Sequence, residues 1–200
     1  MPAGQYRILG GTGDAVALEA FRSAPGPVGW RYFSTVSGLD GEQGNVDLSV
    51  NASWSPVRVR IQTGAHHTLL LVRGEAVEGV LDDEEVALPY DEAMGIEFPS
   101  PGFLAAATRR LGQTAELEVL ALDPQTLQSR IETHRFERVG EERCQTPAGT
   151  FEAVHWRFIA PRPRFSRSFW VAGDVCLAAE DLYELATYEA LSNGPQPSAR

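Results

Sequence analysis

The sequence contains no lysine, and all 17 of its basic residues are arginine. The absence of lysine excludes chemistry that needs its primary amine, such as a Schiff base, a phosphate-loop lysine or a serine–lysine pair. Acidic residues number 27, so the formal net charge is −10. Nucleic acid and anionic membranes both attract basic surfaces, and this overall charge therefore argues against either as a partner.

Cysteine is scarce, and long apolar runs are missing. Cys144 and Cys176 lack the short ligand spacing of a metal site, so we expect two buried thiols and no metal or other cofactor. In a cytoplasmic protein, as expected below, these thiols stay reduced because cytosolic disulfides are rare. No segment approaches the roughly 20 apolar residues that cross a bilayer. The first residues lack the basic and apolar regions of a signal peptide. We therefore expect a cytoplasmic protein without stable membrane insertion.

A glycine cluster at residues 10–13 resembles the start of a phosphate-binding loop. Asp14 could cap a short helix that extends to Ser23. A dinucleotide fold would then require a second parallel strand and an acidic residue about 20 positions further on. Pro25, Gly26 and Pro27 follow instead. We interpret the cluster as a loop between a first strand and a short helix.

Most of the remaining chain has the alternation that is typical of antiparallel strands. The clearest example is the apolar face formed by Val46, Leu48, Val50, Ala52 and Trp54. In the next segment Arg58 and Arg60 alternate with valine and isoleucine. If the two segments pair, these arginines stand on the polar face beside Asp47, where they either pair across strands or contact a ligand.

The longest strand-like stretch spans residues 127–171. Its sequence Thr-Pro-Ala-Gly at 146–149 favours a turn, because proline and glycine occupy turn positions there. In the returning strand Trp156 shares a face with Val154 and Phe158, so it should point inward. We expect Trp170 to face the interior as well, as part of a ligand cavity wall. The alternative is that Trp170 covers the outer side of the sheet against a helix at residues 103–111.

One helix is predicted over residues 100–112, where Ser100 caps, Pro101 begins and Gly112 ends it. Residues 182–187 fit either a helix or a strand, and we favour a strand. The predicted fold is mainly β, a single curled antiparallel sheet (spiral β-roll or half-barrel) with one or two short helices. Residues 1–191 should form this single domain, and residues 192–200 a disordered tail.

Three segments resemble a family of bacterial proteins named for glycolipid binding. They are W-S-P-V-R-V-R at 54–60, I-E-F-P-S-P-G-F-L-A-A-A-T-R-R-L at 96–111 and G-D-V-C-L-A-A-E-D-L-Y-E-L at 173–185. The resemblance covers residues 30–188 and implies a spiral β-roll with a glycolipid-like ligand, but no catalytic residue. The chain departs from the family in lacking a Gln-x-Tyr pair in the long central strand. The turn at 146–149 also looks like those of lipoprotein-carrier-like half-barrels.

The leading functional hypothesis is non-enzymatic binding of a lipid or glycolipid-like apolar ligand on the concave face of the sheet. Aromatic and arginine side chains would suit an acyl chain with an anionic head. Alternatively, the aromatic residues simply fill the core. The candidate ligand-binding residues are Trp54, Arg58, Arg60, Trp156 and Trp170.

Two other classes of function remain open. A small-molecule hydrolase or isomerase would use His134 or His155 as general base, oriented by Glu132 or Glu152. Glu132 and His134 are two apart on a strand and therefore share a face. A structural module would instead form a homodimer through exposed sheet edges.

Overall fold

The structure is a computed structural model that describes residues 1–27, 29–41, 43–64, 66–161 and 165–190. The predicted tail at 192–200 lies outside these residues. The described part contains 15 strands and one helix. Their bounds are β1 Ala3–Leu9, β2 Ala15–Gly26, β3 Gly29–Gly38, β4 Gln43–Asn51, β5 Pro56–Thr63, β6 His66–Arg73, β7 Ala76–Leu81, β8 Glu84–Pro89, β9 Gly95–Glu97, α1 Pro101–Leu111, β10 Ala115–Leu122, β11 Ser129–Thr146, β12 Gly149–Ala160, β13 Phe165–Ala172, β14 Val175–Ala179 and β15 Tyr183–Glu189.

All the strands belong to one continuous sheet, in the order β8–β7–β6–β5–β4–β3–β2–β1–β15–β14–β13–β12–β11–β10–β9. The pairs are antiparallel except β9–β10, which is parallel. A parallel pair needs a crossover, and α1 supplies it. The sheet does not close, because β8 and β9 end the order. The predicted fold class is confirmed, with one helix.

The sheet curls around α1. This helix contacts β4, β9 and β14, which are far apart in the strand order. Its closest approach is at Gly102, where an added Cβ atom would lie 2.5 Å from ring carbons of Tyr32. The concave face, which we call the inner face, is therefore partly filled by the helix. It carries the buried aromatic residues Tyr6, Phe21, Trp30, Tyr32, Trp156, Phe169 and Tyr183.

The helix predicted between Asp14 and Ser23 is wrong, because these residues belong mostly to strand β2. Alternate side chains of β2 are buried, and the strand pairs with β1 on one side and β3 on the other. Two complete ladders outweigh a weak local helix preference. As a result Glu19, which a surface helix would have left in water, lies on the inner face and is buried.

The predicted helix at 100–112 is confirmed. It runs from Pro101 to Leu111, and Gly112 ends it in the left-handed region with φ 66°. Ser100 occupies the N-cap position, but its side chain makes no capping hydrogen bond. Its hydroxyl donates instead to Glu19, 81 residues earlier in the sequence. This contact ties the start of the helix to the middle of the sheet.

Candidate functional site

A pocket of about 370 Å³ opens at one end of the inner face, and we call it the Glu19 pocket. Its wall comes from the neighbouring ends of β1 to β5 and from the segment just before α1. Apolar residues make up much of the lining, among them Ile8, Val16, Ala17, Val36, Val46, Phe98 and Pro99. A concave, largely apolar pocket with a few polar groups is the usual form of a small-molecule site.

Glu19 is the principal ionisable group of this pocket, and its residue is only 2% exposed. The Tyr32 hydroxyl donates to Glu19 Oε1 at 2.8 Å, and the Ser100 hydroxyl donates to the same oxygen at 3.1 Å. Neither of these two bonds engages Oε2. A proton on the neutral carboxyl therefore belongs on Oε2, because Oε1 already accepts two hydrogen bonds.

Burial raises the pKa of the Glu19 carboxyl above its usual value. The hydrogen bonds from Tyr32 and Ser100 lower this pKa only in part. Ser34 acts in the same direction, although its hydroxyl lies outside hydrogen-bonding geometry. A buried carboxyl of this kind favours its neutral form, which can both donate and accept a hydrogen bond.

A second, shallower depression of about 410 Å³ lies on the outer face of β3 to β5, and we call it the Phe33 groove. Phe33 is 44% exposed, and Arg60 lies on the same face. Asn45 donates to Gln62 across the floor at 3.0 Å. The groove adjoins the Glu19 pocket, since both are lined by Gln43, Gly44 and Gln62.

A third cluster of polar groups lies on β11. The carboxylate of Glu132 accepts a hydrogen bond from His134 Nε2 at 2.8 Å and another from Arg130 Nε at 2.7 Å. The side chains of Glu132 and His134 are 6% and 2% exposed. Within the described residues, His134 Nδ1 is buried without a partner. The same-face pairing of Glu132 with His134 that the sequence suggested is therefore present in the structure.

Burial and hydrogen bonding together set the protonation of this cluster. It lowers the pKa of the His134 imidazole, and the bond to Glu132 opposes that shift only in part. Burial alone would raise the pKa of Glu132, but His134 and Arg130 hold it below the usual value. Burial also raises the pKa of nearby Glu97 to about 7. The pair is therefore a neutral imidazole that donates to an ionised carboxylate.

The five predicted ligand-binding residues do not converge on one site. Arg58 and Arg60 extend from the outer face of β5, and Trp156 is buried on the inner face of β12. Trp54 lies in the turn after β4 with φ 63°, where it packs on Trp30, with ring centroids 5.2 Å apart. None of the five lines the Glu19 pocket, and Arg60 lines the Phe33 groove. Their role as ligand contacts stays a prediction.

The inward orientation predicted for Trp170 is wrong. Its neighbour Phe169 pairs with buried Trp156 on the inner face, so Trp170 extends from the opposite face. There its ring stacks on His155 with centroids 4.9 Å apart, and its Nε1 donates to Glu142 at 2.5 Å. The serines beside it left the alternation of β13 ambiguous, and the pairing with β12 decided it.

The other candidate base and acid, His155 and Glu152, do not contact each other. Glu152 pairs with Arg143 at 2.8 Å, whereas His155 approaches Glu142 at 3.4 Å.

Cys144 and Cys176 are free, buried thiols. Burial raises the pKa of Cys144 to about 11 and that of Cys176 to about 12, so both are protonated at neutral pH. Over the part of the chain that the structure describes, no group of three or more His, Cys, Asp or Glu could hold a metal ion.

Sequence reasoning missed Glu19 as a site residue. The signal was present, because Glu19 alternates with Ala17, Phe21 and Ser23 and so interrupts an apolar strand face. It was hidden by the assignment of this segment to a helix. On a strand, Glu19 shares the apolar face and its carboxyl is therefore buried. Ionisable groups with perturbed pKa values, such as buried carboxyls, are concentrated at functional sites.

The fold and the pocket define a class: mainly β proteins with one open, curled sheet around a helix. No family model matches the sequence, and no curated protein matches it. Solved structures do match. A DUF1089 family protein from Pseudomonas aeruginosa has a TM-score of 0.59 at 19% identity, over 86% of this chain and 92% of that one. A β-barrel-like protein of domain of unknown function DUF1849 from Brucella abortus has a TM-score of 0.58 at 7% identity, over 96% and 98%.

At these identities the similarity establishes the fold alone. The curled sheet implied by the family resemblance is confirmed, whereas the glycolipid-binding family and its ligand stay a prediction. Among the described residues, the helix is too short to cross a membrane. The cytoplasmic location also stays a prediction.

Proposed function

We propose that this protein binds an amphipathic, lipid- or glycolipid-like small molecule without chemical change, with the apolar part of the ligand in the Glu19 pocket. The observation that carries the proposal is the buried Glu19 carboxyl in a pocket with a largely apolar lining. Apolar walls favour an acyl chain or another hydrocarbon group. A single polar group fixes the orientation of such a ligand.

The protonation of Glu19 determines which ligand group it recognises. Burial favours the neutral carboxyl, and in that form Oε2 carries the proton and can donate it to a ligand acceptor. A hydroxyl, carbonyl or other uncharged oxygen fits this donor. A carboxylate would be repelled once Glu19 ionises.

The rest of an amphipathic ligand has a place at the rim of the sheet. The Phe33 groove adjoins the Glu19 pocket and presents an exposed ring, three amide side chains and Arg60. Amides and arginine offer several hydrogen-bond donors to sugar hydroxyls or to an anionic head. This arrangement keeps Arg60, one of the sequence candidates, as a ligand contact.

The test is a titration with a fluorescent fatty alcohol, together with native mass spectrometry of freshly purified protein. Val36→Trp places a large ring in the pocket lining and should weaken binding at least about tenfold. Val139→Trp is the matched control, because Val139 is 51% exposed on β11, away from the pocket, and its substitution should leave binding unchanged. No co-purifying ligand and no binding of the fatty alcohol would contradict the proposal.

Glu19 variants test the polar contact separately. The amide of Glu19→Gln can accept from Tyr32 and Ser100 and still donate, so this variant should bind the fatty alcohol like the wild type. Wild-type affinity should fall as pH rises and Glu19 ionises, whereas the affinity of Glu19→Gln should not change. Equal pH dependence in the two proteins would remove Glu19 from the site.

The Glu132–His134 pair favours catalysis less strongly. Its geometry suits a general base, but neither residue lines the Glu19 pocket or the Phe33 groove. A homodimer through a sheet edge is an independent proposal, and light scattering at micromolar concentration checks it.

A further inference from the structure

The outer face of β2 to β5 carries a group of arginines, which we call the basic patch. Strand register places Arg22, Phe33, Asp47 and Arg60 in one row across these four strands. Arg31 and Arg58 flank the next row, with Ser49 between them. The patch therefore consists of Arg22, Arg31, Arg58 and Arg60.

Asp47 fixes two of these arginines. Arg31 binds both of its carboxylate oxygens at 2.8 Å, and Arg58 binds Oδ2 at 2.6 Å. The Asp47 side chain is only 6% exposed, whereas the Arg31 side chain remains 55% exposed. Within the described residues, neither Arg22 nor Arg60 has an ion pair. Asp47 is also the sole carboxylate that the described parts of β2 to β5 place on this face, since Glu19 lies on the inner face. The patch is thus locally positive on a protein whose net charge is −10.

Exposed apolar side chains accompany this charge. Phe33 lies in the row of Arg22 and Arg60 and is 44% exposed. Leu39 is 72% exposed in the turn after β3, and its amide donates to the carbonyl of Val16, which is 48% exposed. Val16 and the neighbours of Leu39 line the Glu19 pocket. Apolar groups beside a basic surface suit the boundary between lipid head groups and acyl chains.

We propose that the basic patch docks this protein on an anionic lipid bilayer, with the arginines on lipid phosphates and Phe33 at the head-group level. The choice of a bilayer as partner rests on the proposed function, because the Phe33 groove joins the patch to the Glu19 pocket. A docked protein could exchange its ligand directly with the membrane. The net charge of the protein argued against an anionic membrane as partner. Net charge, however, averages over the whole surface, whereas a bilayer contacts only one face.

Vesicle co-sedimentation tests this proposal. The wild type should bind vesicles of phosphatidylcholine with phosphatidylglycerol, should not bind phosphatidylcholine alone, and should be released by salt. Arg22→Gln combined with Arg60→Gln should weaken binding by about fivefold for each arginine. The control combines Arg135→Gln with Arg143→Gln, which removes the same charge from side chains 49% and 73% exposed on β11, away from β2 to β5. The control should bind like the wild type, and Phe33→Ser should bind more weakly.

Three results would overturn the proposal. They are absence of binding to phosphatidylglycerol vesicles, an equal loss in the control variant, and arginine-dependent binding of a DNA duplex without binding of vesicles. Val36→Trp separates docking from ligand binding. This variant blocks the pocket but leaves the patch intact, so it should lose the fatty alcohol and still sediment with the vesicles.

Discussion

His134 Nε2 lies 2.8 Å from Glu132 Oε2, and both side chains are almost completely removed from water. The two residues are neighbours on one face of β11, so the strand itself sets their distance. Arg130, two residues earlier, binds the other oxygen of the same carboxylate. The carboxylate thus holds one cation and one neutral donor. The Arg130 side chain is 53% exposed and would be hydrated without the carboxylate, whereas the buried His134 Nε2 would lose its partner.

Removing the carboxylate should destabilise the protein. We expect Glu132→Ala to lower the free energy of unfolding by about 1–3 kcal/mol, the usual cost of leaving a buried hydrogen-bond donor, here His134 Nε2, without a partner. Glu118→Ala is the control, because Glu118 is an exposed glutamate on neighbouring β10. It should change stability by less than about 0.5 kcal/mol. Urea unfolding measures both variants, and similar values for the two would mean that the pair is not coupled to folding.

Glu97 should make stability fall as pH rises. Its pKa is raised from 4.5 to about 7 in the folded protein, mainly by burial. Between these values the folded state binds more protons than the unfolded state, so each pH step upward favours unfolding. Glu97→Gln removes this pH dependence. Its gain in the free energy of unfolding over the wild type should therefore be larger at pH 8 than at pH 5, by up to about 3 kcal/mol. Urea unfolding at both pH values checks it, and a variant whose advantage is the same at both would contradict the assigned pKa.

Gly102 should not tolerate a larger residue. An added Cβ atom would lie 2.5 Å from carbons of the Tyr32 ring, and that ring is held by its hydrogen bond to Glu19. Gly102→Ala should therefore lower the free energy of unfolding by about 1–3 kcal/mol, despite the higher helix propensity of alanine. Gly11→Ala is the control, since no atom lies within 4 Å of its added Cβ. Thermal unfolding compares them, and a Gly102→Ala protein as stable as the control would show that the helix can move away from the sheet.

The two tryptophans of the central hairpin region should differ in their effect on stability. Trp156 is 3% exposed on the inner face, and Trp156→Ala should cost about 3–5 kcal/mol. Trp170 stacks on His155 on the outer face, and Trp170→Ala should cost less than about 2 kcal/mol. Urea unfolding of both variants gives the comparison. An equal loss would mean that Trp170 contributes to the core as much as Trp156 does.

Strand alternation and turn chemistry were sufficient to predict much of the fold. The turn at 146–149, the helix at 100–112 and the strand over Tyr183–Glu189 are all confirmed. These elements carry strong local signals, such as Pro147 and Gly149 in the turn or Gly112 at the end of the helix. The strand β2 lacked such a signal, because its alanines also suit a helix. Only its pairing with β1 and β3 decides that this segment is a strand and not a helix.

The site was harder to predict than the fold, because a pocket depends on which strands become neighbours. Arg58 and Asp47 were expected to share a face, and their ion pair is present. The approach of Ser100 to Glu19 joins residues 81 positions apart, and no local pattern encodes it. Glu132 and His134 were found because their contact is made within a single strand.

The ladder between β1 and β15 is the one pairing, within the described strands, that joins residues from opposite ends of the chain. Other neighbouring strands in the sheet are also neighbours in sequence, and the two sheet edges, β8 and β9, follow one another along the chain. In a chain that began at β9 and ended at β8, every ladder would therefore join consecutive strands. β10 to β8 would form an antiparallel meander, with β9 attached to β10 through the α1 crossover. A circular permutant opened between the exposed residues Asp91 and Glu92, with position 189 linked to position 3, would run in that order. It would need no closure of a chain-length loop, so it should fold faster than the natural order of strands.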